Sequence, residues 1–218
     1  MKVIYVDISS EEKINLAVQE AVSFLKEGKT IVYPTDTIYG LGCDAMNEKA
    51  IEKVYKIKKR DESKPFSVIA KNIEAIKKIA FVDRRTEGIA SKLLPGPYTL
   101  IYPGPKHMPA NLTAGNNSIG VRIPNNVISQ KIADAFTGPI VTTSVNLSGE
   151  ESLNDPFKIV EYFREKELVP DLVLDCGKIK NAQTSIIIDL TRKSPQILRS
   201  GTRSLSEIMA VLEKLKDL

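Results

Sequence analysis

Apolar and polar residues alternate over Lys2 to Asp7, which predicts a strand. The apolar spacing then changes to three and four, through Ile14, Ala17, Val18, Ala21, Val22 and Leu25, which predicts an amphipathic helix. Ser9 and Glu12 have the S-x-x-E spacing of a capping box, and Gly28 is placed to stop the helix. A short apolar run, Ile31 to Tyr33, predicts a second strand. Tyr33 precedes Pro34, which favours extended backbone and ends the strand there. After the small polar turn Thr35-Asp36-Thr37 come Gly40 and Gly42, which can take positive φ or admit another group close to the backbone. Asn47 caps the next helix, whose buried face runs through Ala50, Ile51, Val54, Tyr55 and either Ile57 or Lys58.

The same periodicities predict strands over Pro65 to Ala70, Thr99 to Tyr102, Ser118 to Pro124, Ile140 to Thr142, Leu172 to Asp175, Thr184 to Leu190 and Ile197 to Arg199. Helices are predicted over Ile73 to Ile79, Arg84 to Leu94, Val127 to Phe136 and Asp155 to Glu165, with a last one capped by Ser204 or Ser206 and running to the end. No repeat or linker interrupts the series. The expectation is one α/β domain over residues 1–218 with about seven strands.

Composition narrows the function classes. The chain has 218 residues, 42% hydrophobic and 27% charged, as an ordinary globular protein has. A net charge of +4 permits contact with nucleotide or RNA without demanding it. Two cysteines, Cys43 and Cys176, make no disulfide framework, and a single histidine, His107, disfavours a transition-metal site. No signal architecture opens the chain, and no apolar run approaches the roughly 20 residues that cross a bilayer. A reduced, cytoplasmic setting is expected.

Candidate chemistry clusters around positive charge and hydroxyls. Lys56, Lys58, Lys59, Arg60 and Lys64 follow one another at the end of the helix after Gly42. They either complement the helix dipole or face the Thr35–Thr37 turn, where their field suits a triphosphate. The spacing is neither GxxxxGK[ST] nor GxGxxG. Arg122, between apolar neighbours of a strand, reaches a carboxylate of the chain or waits for one from a ligand. Thr142, Ser144 and Asn146 alternate, so they share a strand face or close the strand as a turn. The loop held by Pro103, Pro105 and Pro109 is either a plain connection or a frame for a ligand. His107 has no base or orienting acid beside it, and Asp36, Asp44 and Asp189 are the acids near these motifs. Such a site orients anions, as in phosphoryl or nucleotidyl transfer.

These motifs together, YPTDTIYGLG, Lys58-x-Arg60, LPGPYTL, GVRIP, TSVNLSG and TSIIIDL followed by ILRSG, resemble the YrdC-like family of L-threonylcarbamoyladenylate synthases over nearly the whole length. The resemblance implies a twisted mixed sheet around a basic concave cavity. It implies condensation of L-threonine, bicarbonate and ATP to threonylcarbamoyl-AMP with release of pyrophosphate, for modification of tRNA next to the anticodon. It assigns Thr37, Arg122, Thr142 and Ser185 to threonine, and Lys58, Arg60, Lys64, Ser118, Ser144, Asn146 and Arg199 to ATP, with Lys58 and Arg60 catalytic and both expected to face solvent. Magnesium is expected on the phosphates, with no protein ligand named. Partners would be RNA and the proteins of threonylcarbamoyl transfer. The likeness is to the short form, without an appended C-terminal domain. Asp61 stands where many members have proline, and Ile69 where longer members place a histidine that touches threonine. A nucleotide- or double-stranded-RNA-binding paralogue is the alternative.

Overall fold

The computed structural model describes every residue except 106, 202, 203, 205, 208, 209, 211, 212 and 214–218. In chain order the elements are β1 (Lys2–Tyr5), α1 (Glu11–Lys26), β2 (Ile31–Tyr33), β3 (Gly40–Gly42), α2 (Glu48–Lys58), β4 (Ser67–Ile69), α3 (Ile73–Ile79), α4 (Arg84–Leu93), β5 (Tyr98–Pro103), α5 (Ala110–Thr113), β6 (Ser118–Arg122), α6 (Val127–Phe136), β7 (Ile140–Ser144), α7 (Pro156–Arg164), β8 (Leu172–Asp175), β9 (Ile186–Asp189) and β10 (Gln196–Arg199). The strands form one mixed sheet in the order β1-β8-β2-β3-β7-β4-β6-β5-β9-β10.

Among the described residues the sheet thus has ten strands rather than about seven. Nine of them fall on the segments expected one by one; the tenth is Gly40 to Gly42, which the sequence presents as a turn. It lies between β2 and β7, antiparallel to both. A Cβ on Gly42 would stand 2.2 Å from the Val141 carbonyl oxygen, so glycine is needed here because β7 comes so close. Neither Gly40 nor Gly42 has positive φ.

Parity along the strands divides the molecule into layers. Val68, Val121, Val141, Leu100 and Ile188 point to one face and are fully buried under α2, α3, α4, α5 and α7. Ile31, Tyr33, Ile69, Ile140, Leu172 and Leu174 point to the other, where Val18, Ala21, Leu25, Ile128 and Ile132 of α1 and α6 cover them. That second cover extends over only part of the sheet. Where β7, β4, β6, β5 and β9 run on beyond α1 and α6, small or polar positions, Thr142, Ser67, Gly120 and Thr99, appear beside the apolar Ile101 and Ile187. This uncovered stretch is the floor of a cavity.

The helix ends follow their sequence signals, with one shift. Asn47 Oδ1 accepts from Ala50 N at 3.1 Å, as expected. Helix α1 is capped by Ser10, whose Oγ accepts from Lys13 N; Ser9 is committed instead to Asp7, donating to Oδ1 through both its backbone N and its Oγ. Ser204 caps the last helical segment, accepting from Glu207 N while its own N donates to Glu207 Oε2. Most of that final helix lies outside the described residues. Among the described residues no helix is long and apolar enough to cross a membrane.

Candidate functional site

The cavity encloses about 450 Å³. Its floor is the open part of the sheet, and its walls are the β2–β3 turn, the segment after α2 and the start of β9 with the end of β10. Register explains why distant residues meet there. Ser67 is opposite Thr142, Gly40 opposite Ser144, and Ile69 lies between Arg122 and Ile140. Gly120 keeps the floor low, since a Cβ there would stand 2.5 Å from Ser67 Oγ.

Arg60, Lys64, Arg122 and Arg199 line the cavity, and among the described residues no Asp or Glu does. Thr35, Thr37, Ser67, Thr99, Ser118, Thr142, Thr143, Ser144, Ser152, Thr184 and Ser185 supply the hydroxyls. Burial holds the Arg60, Arg122 and Arg199 guanidiniums below their usual range, and the positive charge of Arg122 beside Arg199 adds to the effect there. Depressed cations with too little counter-charge favour an anionic guest.

Each of the three arginines is held by named partners. Arg122 Nη2 donates to Asp36 Oδ1 at 2.6 Å and to Thr37 Oγ1 at 3.1 Å. Thr35 gives its proton to Ile38 O, so Thr37 donates to Thr35 Oγ1 at 2.8 Å and accepts from Arg122. The arginine of β6 is thus part of an internal ion pair, one of the two readings its position allowed. Arg199 grips Ser185, through Nε to its backbone O and Nη2 to its Oγ, and Ser185 in turn meets Thr99 Oγ1 at 2.9 Å. Arg60 leaves α2 after Lys59, whose φ of 45° ends the helix in the left-handed region. It donates to the carbonyls of Lys64 and Pro65, and its guanidinium sits 5.1 Å from the Phe66 ring centroid. Asp61 accepts from Ser63 N, and its carbonyl accepts from Lys64 N, making the turn that brings Lys64 back to the cavity.

Of the residues singled out in the sequence, Thr37, Arg60, Lys64, Ser118, Arg122, Thr142, Ser144, Ser185 and Arg199 all line this one cavity. Lys58 and Asn146 do not. Lys58 was expected to face solvent and is only 2% exposed. Its place four residues after Val54 puts it on the buried face of α2, and its ammonium ends among the carbonyl oxygens of Ser144 and Asn146. Arg60 is half-buried and lines the cavity. Asn146 lies past the end of β7, so the alternation that carries Thr142 and Ser144 to the cavity no longer applies to it. The described residues of the proline-rich loop line no part of the cavity. Ile69 is 1% exposed and packs with the α1 and α6 core.

Sequence reasoning did not single out Ser67, Thr99 and Ser152. The first two carried a signal: each is a lone hydroxyl inside an apolar strand. Among the described residues no three His, Cys, Asp or Glu side chains come together as a metal site.

The family model of Sua5, YciO and YrdC proteins, described as telomere recombination, matches residues 23–201. A Pyrococcus abyssi threonylcarbamoyl-AMP synthase is 31% identical over 197 residues, 90% of this chain and 57% of the relative. The chain thus spans little more than half the length of that relative. Escherichia coli YciO, an uncharacterized protein, is 32% identical over 84% of this chain and 88% of its own length. The structure of P. abyssi Sua5 complexed with L-threonine superposes with a TM-score of 0.86 at 30% identity, covering 98% of this chain and 62% of the other. Sequence, fold and the gathered motifs agree: the chain belongs to the Sua5/YciO/YrdC family.

Proposed function

We propose that this protein is an L-threonylcarbamoyladenylate synthase, joining L-threonine, bicarbonate and ATP in one cavity. The observation that carries the reading is the convergence of four cations and a row of hydroxyls, with no lining carboxylate among the described residues, in a space of about 450 Å³. It is supported by the likeness to P. abyssi Sua5, whose structure holds L-threonine.

In this reading the threonine carboxylate binds at Arg122, with Thr37, Thr142 and Ser185 around the rest of the amino acid. The amine nitrogen attacks the bicarbonate carbon, a C–N bond forms, and water leaves to give the carbamate. A carbamate oxygen then attacks the α-phosphorus of ATP, the bond to the β-phosphate oxygen breaks, and pyrophosphate departs with the electron pair. Arg60, Lys64 and Arg199 surround the phosphates, with Ser118 and Ser144 as neutral donors. Positioning and charge neutralisation do most of the catalysis in such a transfer. Among the described residues the lining offers no carboxylate for magnesium, so the ion would arrive on the triphosphate and be held by phosphate and water. The product would serve modification of tRNA through partner proteins in the cytoplasm.

The test is pyrophosphate release with omissions. Release that needs ATP, threonine and bicarbonate together supports the synthase; release indifferent to threonine removes it. The basic lining and the net charge of +4 suit a second reading, a nucleotide- or RNA-binding paralogue with little turnover. That reading predicts salt-sensitive RNA binding unaffected by ATP.

A further inference from the structure

Among the described residues Lys58 is the most deeply buried charged side chain, 2% exposed, and its environment is unusual. Its Nζ meets three acceptors: Ser144 O at 2.5 Å, Asn146 O at 2.9 Å and Asn146 Oδ1 at 2.9 Å. An ammonium has three donors, so the set is complete. No salt bridge to a carboxylate is found for it among the described residues. The backbone adds a fourth tie, because Ser148 N donates to Lys58 O at 2.9 Å.

Asn146 passes the connection on. Its Oδ1 also accepts from Ser144 Oγ at 2.5 Å, and its Nδ2 donates to Glu150 O at 2.7 Å. Leu153 N donates to Val145 O, closing the 145–153 loop on itself. From outside, Tyr162 of α7 holds the same loop, donating to Glu150 Oε2 and accepting from Leu147 N. The loop and the strand end it follows carry two cavity-lining hydroxyls, Ser152 and Ser144. The helix end on the other side of Lys58 carries Arg60 into the same cavity.

We infer that Lys58 is a positioning residue: from behind the cavity wall it fastens the end of β7 and the 145–153 loop to the end of α2, and so sets Ser144 and Ser152 against Arg60. This deepens the synthase reading and rests on it for its kinetic consequences. A lysine with its three donors spent on the chain has none left for a phosphate. Its loss therefore misplaces groups that act on the bound substrates, which lowers kcat more than it weakens ATP.

The experiment compares the full chain with Lys58→Met, Asn146→Ala and the double variant, reading ATP and AMP affinity, kcat and amide hydrogen exchange. The expected result is a fall of about tenfold or more in kcat for each single variant, with ATP affinity kept within about threefold. The double variant should be no worse than the poorer single, since both cut one connection. In the ligand-free protein, the Ser148 and Leu153 amides should exchange faster in Lys58→Met while the amides of β4 and β6 stay protected. A loss of ATP affinity of tenfold or more with AMP unchanged would make the lysine a triphosphate ligand and overturn the proposal. So would additive effects in the double variant, or unchanged exchange at Ser148 and Leu153. If Lys58→Met does not fold, Asn146→Ala alone carries the kinetic and exchange arms. If the unaltered protein releases no pyrophosphate, the synthase reading fails by itself, and the exchange arm still decides whether the fastening exists.

Discussion

Arg122 and Asp36 form a buried ion pair that is only half made. Nη2 of the arginine lies 2.6 Å from Oδ1 of the aspartate, with side chains 7% and 11% exposed, while arginine Nε and aspartate Oδ2 are buried without a partner. The aspartate holds the guanidinium in place through one oxygen and does not engage it as a fork.

Removing Arg122 alone strands the Asp36 charge, so Arg122→Ala should cost about 3–5 kcal/mol of stability by thermal or denaturant unfolding. The binding role is read in an Asp36→Asn background. There Arg122→Ala should weaken threonine by about tenfold to a hundredfold, the worth of charge-assisted hydrogen bonds, and leave ATP within about threefold. Calorimetric titration with each substrate checks this; equal losses for both would remove the assigned role.

Arg60 is held by two carbonyls and an aromatic face at a half-buried position, so its loss should leave the fold intact. Arg60→Ala should lower kcat/KM for ATP by about a hundredfold, because one phosphate-facing cation contributes about 2–3 kcal/mol to a charged transition state. Steady-state kinetics beside a melting curve separate the two effects. Unfolding at ordinary temperature would make Arg60 structural.

Burial, with Arg60 as a second cause, pushes the Lys58 ammonium down to about 7. The unfolded lysine keeps its proton to about 10.4, so between these values the unfolded state binds more protons than the folded one. This lysine's contribution to stability therefore rises with pH across that window and is lost as pH falls through about 7. The difference in unfolding free energy between the unaltered protein and Lys58→Met, measured by urea titration from neutral to alkaline pH, should move in favour of the unaltered protein. A flat difference would mean that the group titrates normally.

Gly42 stands where a Cβ would meet the Val141 carbonyl oxygen at 2.2 Å and the Tyr33 ring at 3.0 Å. Gly42→Ala should force β3 from β7 and cost about 1–3 kcal/mol, lowering Tm by roughly 2–12 °C. An unchanged Tm would show that the strands can separate freely.

Much of this site was legible in the chain, and the failures have physical causes. Arg122 between apolar neighbours announced a partner, and the hydroxyls of Thr142 and Ser144 announced a shared face; strand parity delivers both to the cavity. β3 was illegible because a glycine pair reads as a turn until a neighbouring strand is seen pressing on it. Lys58 carries two opposed signals, one for the buried face of α2 and one for solvent. A cation near a helix end suggests solvent, yet its spacing from Val54 and Tyr55 already placed it on the buried face. Asn146 lost its place in the alternation because the strand ends at Ser144, a boundary that only the hydrogen bonds reveal.

The most direct measurement is mass spectrometry of the nucleotides formed from ATP, magnesium, L-threonine and isotopically labelled bicarbonate. The account predicts threonylcarbamoyl-AMP carrying one labelled carbon, formed with an equal amount of pyrophosphate and only when threonine is present. A nucleotide product without the label, or one formed equally without threonine, would contradict it.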